Sequence, residues 1–234
     1  MKENGRINPE LSGANSPLHA EGNINELLEQ LHTDFDPVYS MLMDYQCAAM
    51  QVETKFNILN NRLSIQGEEN PIETIKSRVK SLDSIIRKLE KLGLPITVEA
   101  ARENLTDIAG VRVVCSFVED IYKLAENFLA QDDITLLKRK DYIENPKPSG
   151  YRSLHLLVKT PIYTETGKKE MIVEVQMRTI AMDFWASLEH KLRYKKAIDP
   201  QVAAQLAQEL ETCAEESARL DEKMLRIRDR IKMD

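Results

Sequence analysis

A chain of 234 residues, 42% of them hydrophobic, is long enough to bury a real core as one large domain, with or without helical extensions. Its 38 acidic against 32 basic side chains, a formal charge of −6, exclude general affinity for DNA, for other nucleic acid or for anionic membranes. Three scattered cysteines, Cys47, Cys115 and Cys213, exclude a disulfide framework or thiolate zinc site and fit a reducing cytoplasmic setting, as does the lack of a secretory or bilayer-length apolar run.

Residues 1–22 are rich in Asn, Gly, Pro, Ser and Glu and read as a disordered tail. A helical region over 23–69 follows, in which Asp36 as N-cap and Pro37 at the first helical position predict a restart. Gly67-Glu68-Glu69-Asn70-Pro71 closes it. The stretch 74–92 cannot be one helix, because Arg78 would fall inside the apolar arc of Ile75, Val79, Leu82, Ile86 and Leu89. It divides into a strand over 74–80 and a helix capped by Ser81 and ended by Gly93. The helix carries Leu82, Ile85, Ile86, Leu89 and Leu92 on its apolar side, with Ser84 and Lys88 sharing one flank.

Four more strands are predicted at 109–118, 134–143, 153–161 and 170–178, with a helix near 119–130. Five strands mixed with helices make an α/β or α+β core, placed over 70–195. A helix over 180–194 carries Trp185, and a last one over 200–232 lies within the C-terminal segment 196–234. Its apolar residues Val202, Leu206, Leu210, Cys213, Leu220, Met224, Ile227 and Ile231, with Ser217 completing the series, form a seam. Packing on the chain's own core and packing against another subunit both fit that seam.

Glu174 lies on a cleanly alternating strand, with Val173, Val175 and Met177 facing the core and Glu174, Gln176 and Arg178 facing away. Alternation of this kind more often marks a solvated face, and Asp107 before a strand is more often a turn residue. The alternative is that Asp107 and Glu174 converge to hold Mg²⁺, which takes one or two carboxylates plus substrate phosphates. Two basic clusters stand out in this acidic chain: six Lys/Arg against two acidic residues over 76–91, and five against two over 138–152. Charge runs usually coat a solvated face, yet two of them beside strands fit a polyphosphate pocket. Tyr151, just after Gly150, is a stacking candidate as well as a turn tyrosine. His19, His32, His155 and His190 lack metal-ligand spacing, and no Walker or Gly-x-Gly-x-x-Gly loop occurs.

Four segments in register then carry a family resemblance: Arg78-Val79-Lys80-Ser81-Leu82-Asp83-Ser84-Ile85-Ile86-Arg87-Lys88, Asp107-Ile108-Ala109-Gly110-Val111-Arg112-Val113, Pro146-Lys147-Pro148-Ser149-Gly150-Tyr151-Arg152-Ser153-Leu154-His155 and Glu174-Val175-Gln176-Met177-Arg178-Thr179. In order and spacing they resemble the synthetase domain of the RelA/SpoT homologue family. The length and helical ends look like its stand-alone small alarmone synthetases.

The resemblance implies a nucleotidyltransferase-like fold, a mixed five-stranded sheet flanked by helices. It implies transfer of pyrophosphate from ATP to the 3′-hydroxyl of GDP or GTP, with AMP released. By matching positions, Arg78 and Arg112 would sandwich adenine, and Lys80, Ser84 and Lys88 would meet the ATP phosphates. Asp107 would bind Mg²⁺, and Glu174 would bind Mg²⁺ or accept the hydroxyl proton. Tyr151 would stack on guanine while Lys140, Lys147, His155 and Gln176 place the acceptor. Small members form homotetramers through their terminal helices, some with a regulatory nucleotide at the oligomer interface, which tilts the 200–232 seam towards an interface. No His-Asp dipeptide occurs, so synthesis without hydrolysis is expected. Two other classes stay open: a transferase attacking the α-phosphorus, and a guanine-nucleotide sensor that binds without turnover.

Overall fold

The β-branched and alternating stretches pair into one mixed sheet of five strands, β1 (Ile72–Val79), β2 (Ala109–Cys115), β3 (Thr135–Asp141), β4 (Leu154–Thr164) and β5 (Gly167–Thr179), in the order β1-β2-β5-β4-β3. Only β2 and β5 run parallel; the other three pairings are antiparallel. The helices are α1 (Leu18–Ile65), α2 (Leu82–Leu92), α3 (Val98–Asn104), α4 (Val118–Leu129), α5 (Ile180–Arg193) and α6 (Pro200–Met233). This computed structural model describes residues 18–65, 70–193 and 200–233, with side chains over 37–65, 70–192 and 205–233. Residues 41–234 form one compact unit and residues 1–40 another.

Alternation builds the core. Val173, Val175 and Met177 are fully buried, as are Val111 and Val113 of β2 and Leu156 and Val158 of β4. They join one apolar cluster with Phe56 of α1 and Phe128 of α4, whose rings stack at 4.5 Å. Burying a side chain of this size is worth roughly 1.5–3 kcal/mol, so this face fixes which way every strand points. The opposite face is left for polar residues. Both sheet edges carry bases, Lys76 and Arg78 on β1 and Lys138, Arg139 and Lys140 on β3, which also keeps those edges from pairing with other strands.

The split of 74–92 is observed as predicted, with β1 leading into α2. Gly93 ends α2 at φ 67°, and the Gly93 and Leu94 amides bond to the carbonyls of Glu90 and Leu89. Ser81 stands at the N-cap, but its hydroxyl lies 2.9 Å from that of Ser84 instead of capping a backbone amide. Two further expectations change. Helix α1 passes through Pro37 without a restart, since a missing amide removes one rung from a helix of 48 residues. Helix α3, capped by Thr97, was not predicted, because seven residues give too few turns for a periodic signal. Of the tail expected over 1–22, residues 1–17 lie outside the described residues, and α1 begins at Leu18. Of the closing segment 67–71, residues 67–69 also lie outside them.

Most of the α6 seam turns outward, while Leu210 packs inward. Leu206, Leu220, Met224, Ile227 and Ile231 are exposed, and Ala214 is the buried residue among the described side chains of α6. The inward side is Leu210, Ala214, Ala218, Asp221 and Leu225.

Candidate active site

Strand register sets out the site. Lys76, Arg112, Gln176, His155 and Lys140 are direct cross-strand neighbours, so one row of polar side chains crosses all five strands. The adjacent row runs Arg78, Gly110, Glu174, Leu157 and Lys138. Gly110 leaves a gap between Arg78 and Glu174, where a Cβ would touch the Arg78 side chain at 3.9 Å. Beside it lies a cavity of about 250 Å³ lined by Lys76, Arg78, Gly110, Arg112 and Gln176.

At the β1 end the chemistry is charge against charge. Asp107, in the turn before β2, accepts from Lys80 Nζ at 2.8 Å and from Lys88 Nζ at 2.6 Å. Partial burial pushes its pKa up, but the two ammonium groups outweigh that and hold the carboxyl below its usual range. Arg112 is shifted down by burial and by the neighbouring Arg178 and Arg78, with Asp183 in partial compensation at 3.3 Å. The Nε atoms of Arg112 and Arg178 are buried without an acceptor among the described residues, which leaves donors for an electron-rich ligand.

At the β4 end the groups form a hydrogen-bonded chain. Glu174 Oε1 lies 3.3 Å from His155 Nδ1, and its Oε2 accepts from Gln176 Nε2 at 2.8 Å. The His155 bond depresses the Glu174 pKa most, burial opposes it, Gln176 adds to the lowering and Asp107 raises it slightly. Tyr151 Oη lies 2.8 Å from His155 Nε2 and accepts from Arg178 at 2.7 Å. Lys147 Nζ sits 4.6 Å from the ring centroids of both Tyr142 and Tyr151.

The structure therefore gathers Lys80, Lys88 and Asp107, flanks the cavity with Arg78 and Arg112, and links Glu174, His155, Gln176, Tyr151 and Lys147 into one network. Lys140 stands at the sheet edge beside His155. Ser84 is the outlier, hydrogen-bonded to Ser81 and making no contact with Asp107. Arg178 and Asp183 escaped the sequence reading as site residues. Arg178 bonds Tyr151, Gln176 and Asp183 at once. Its strand parity with Glu174 and Gln176 was the available signal, whereas nothing in sequence singles out Asp183.

Asp107 and Glu174 sense each other electrostatically, and no cluster of three or more His, Cys, Asp or Glu ligands exists among the described residues. Two oxygen donors without a full protein cage fit Mg²⁺ shared with substrate phosphates. The fold is a mixed five-stranded sheet flanked by helices, and its polar face gathers the basic and acidic groups that suit a phosphorylated ligand.

Comparison with known proteins places it further. The region found in RelA / SpoT proteins is matched over residues 77–199. GTP pyrophosphokinase YwaC of Bacillus subtilis (strain 168) is 43% identical over 204 residues, covering 87% of this chain and 96% of that protein. GTP pyrophosphokinase YjbM of the same strain is 36% identical over 190 residues, covering 81% and 88%. Small alarmone synthetase 1 from Bacillus subtilis, solved bound to its product pppGpp, is 36% identical with a TM-score of 0.74, covering 82% of this chain and 97% of that one. The chain belongs to the RelA/SpoT family.

Proposed function

We infer that this protein is a (p)ppGpp synthetase that makes the stringent-response alarmone by moving pyrophosphate from ATP to the 3′-hydroxyl of GDP or GTP. The observation that carries the reading is Glu174: an ionised carboxylate one row from Arg112 and across Gly110 from Arg78, fixed between His155 and Gln176. A group held there can take the proton of a ribose hydroxyl as its oxygen attacks the β-phosphorus of ATP. The new O3′–Pβ bond forms, the bond between Pβ and the bridging oxygen breaks, and AMP leaves with that oxygen.

The remaining residues bind and orient. Arg78 and Arg112 offer guanidinium planes to adenine across the cavity. Lys80 and Lys88 exchange part of their bond to Asp107 for ATP phosphate oxygens, and Ser84 would have to turn from Ser81 to join them. Tyr151 offers its ring to guanine once Lys147 moves to the acceptor phosphates, while His155, Gln176 and Lys140 line the acceptor path. Asp107 and Glu174 would hold Mg²⁺, which supplies neutralisation of the charge on the transferring phosphoryl group.

Synthesis without hydrolysis, a cytoplasmic setting and a homotetramer with a regulatory nucleotide at its interface complete the proposal. The exposed apolar row of α6 supports the assembly. The test is incubation with Mg²⁺, ATP and either GDP or GTP, followed by separation of the nucleotides. A guanosine product with two added phosphates, formed with one AMP, is expected. ATP left intact with every acceptor, alongside guanine-nucleotide binding, would establish a sensor instead.

A further inference from the structure

Helix α6 touches the site through Leu210, Ala214 and Asp221, not through its exposed apolar row. At Gly150, where φ is +83°, an added Cβ would lie 2.4 Å from Ala214 Cβ and 3.5 Å from Glu211 Cα. The turn that carries Tyr151 is therefore pressed against one turn of α6, and only glycine fits both the angle and the space. Tyr151 packs with Leu210 against Trp185, Ala186 and Ala214, a cluster separate from the main core. Trp185 Nε1 donates to the Leu210 carbonyl at 2.9 Å and fixes the register of α6 on α5. About three helical turns beyond Leu210, Asp221 accepts from the Thr179 hydroxyl, which itself caps the Met182 amide at the start of α5. Asp221 also shares a cavity of about 180 Å³ with Arg152, the residue after Tyr151. Arg152 reaches back to the Ile143 carbonyl and so ties the two ends of the 143–152 loop together.

We propose that the Leu210–Asp221 face of α6 is a positioning element for the acceptor nucleotide, setting the height and tilt of the Tyr151 ring through Ala214 and anchoring the loop's far end through Asp221. This rests on the assignment of Tyr151 to the guanine base. None of these α6 residues lines the cavity between Arg78 and Arg112, so the element acts on the acceptor side first and reaches Arg112 only through Arg178 and Asp183. A residue that merely held the fold together would weaken both substrates alike.

The experiment is calorimetric binding of GDP and of a non-hydrolysable ATP analogue, each alone, to the full chain and to Ala214→Leu. GDP affinity falls tenfold or more in Ala214→Leu, the ATP analogue binds within twofold of the parent, and Ala214→Ser restores GDP binding. Turnover measured in parallel shows the same division, with KM for GDP raised and kcat at saturation nearly kept. Should Ala214→Leu fail to fold, Trp185→Phe gives the same readout with a smaller loss, about threefold, because it deletes the Leu210 bond and keeps a ring. Unchanged GDP affinity, or an equal loss for both nucleotides, overturns the proposal. Because binding is read without catalysis, a parent protein that binds GDP but transfers nothing overturns the synthetase reading alone.

Discussion

The two ends of the polar sheet face are built in opposite ways, and under the proposed function each would meet an anionic nucleotide. At the β1 end Lys80 and Lys88 neutralise Asp107, and in the proposed reaction ATP would take those ammonium groups over. At the β4 end Glu174, His155, Tyr151, Arg178 and Gln176 hydrogen-bond one another in a closed ring. The first end is set by charge and tolerates movement of long, flexible side chains. The second is set by direction, because each hydrogen bond fixes the next group's orientation. Charge suits a triphosphate chain, and fixed direction suits the single hydroxyl that must be aligned and deprotonated.

The largest predicted effect comes from the directional end. Glu174→Gln keeps the shape and one hydrogen bond but loses the base, so kcat falls on the order of 10²–10⁴-fold while ATP-analogue affinity is kept. Asp107→Asn ranks next. It leaves two ammonium groups without their counter-charge, so the Mg²⁺ concentration for half-maximal rate rises and kcat falls, in a magnesium titration at fixed ATP. Tyr151→Ala should raise acceptor KM by about tenfold or more, since stacking of a base on an aromatic ring is worth roughly 1–3 kcal/mol. Tyr151→Phe keeps the ring and costs less; equal losses in the two variants would show that the hydroxyl chain, not stacking, holds the acceptor.

A pH titration sharpens the same contrast. Asp107 and Glu174 both have carboxyl pKa values depressed in the folded state. Their contribution to stability is complete above the ordinary carboxylate range and is lost as pH falls through it to the depressed folded values. Unfolding midpoints in urea should therefore fall as the medium is acidified below that range. In Glu174→Gln and Asp107→Asn the fall should be shallower, each by the share of the group removed.

How much of this was legible beforehand follows the same division. The sheet, the turn from β1 into α2, Gly93 and the parity of Glu174 and Gln176 rest on local periodicity and φ preferences, which a sequence displays directly. Arg78, Lys80, Lys88 and Asp107 were reachable as a basic cluster and a turn carboxylate, although their convergence needed the register. Arg178 was visible in the alternation and passed over, because parity does not say which polar residues meet. The Gly150 contact with Ala214 has no sequence signal, for it joins residues 64 apart through the packing of one loop on one helix. In α6 the apolar pattern does not mark the inward side: of the seam, Leu210 packs inward while Leu206, Leu220, Met224, Ile227 and Ile231 are exposed, and Ala214 and Asp221 face inward where the loop approaches closely.

The smallest predicted effect isolates what the charged end owes to geometry. Arg87 and Lys88 are neighbours on α2, and both face an aspartate. Lys88 Nζ lies 2.6 Å from Asp107 at a partly buried position. Arg87 lies 4.0 Å from Asp83, with both side chains more than 70% exposed. A solvated pair one helical turn apart is screened by water and salt and is worth about 0.3–0.5 kcal/mol. Arg87→Ala should shift the unfolding midpoint barely at all and leave ATP KM within twofold, whereas Lys88→Ala should raise ATP KM several-fold. If both variants raised ATP KM equally, the β1 end would act as a diffuse basic field attracting polyphosphate, and raising the salt concentration would abolish the difference from the parent. If only Lys88→Ala does, the effect belongs to one ammonium group placed against Asp107, and salt will leave most of it standing.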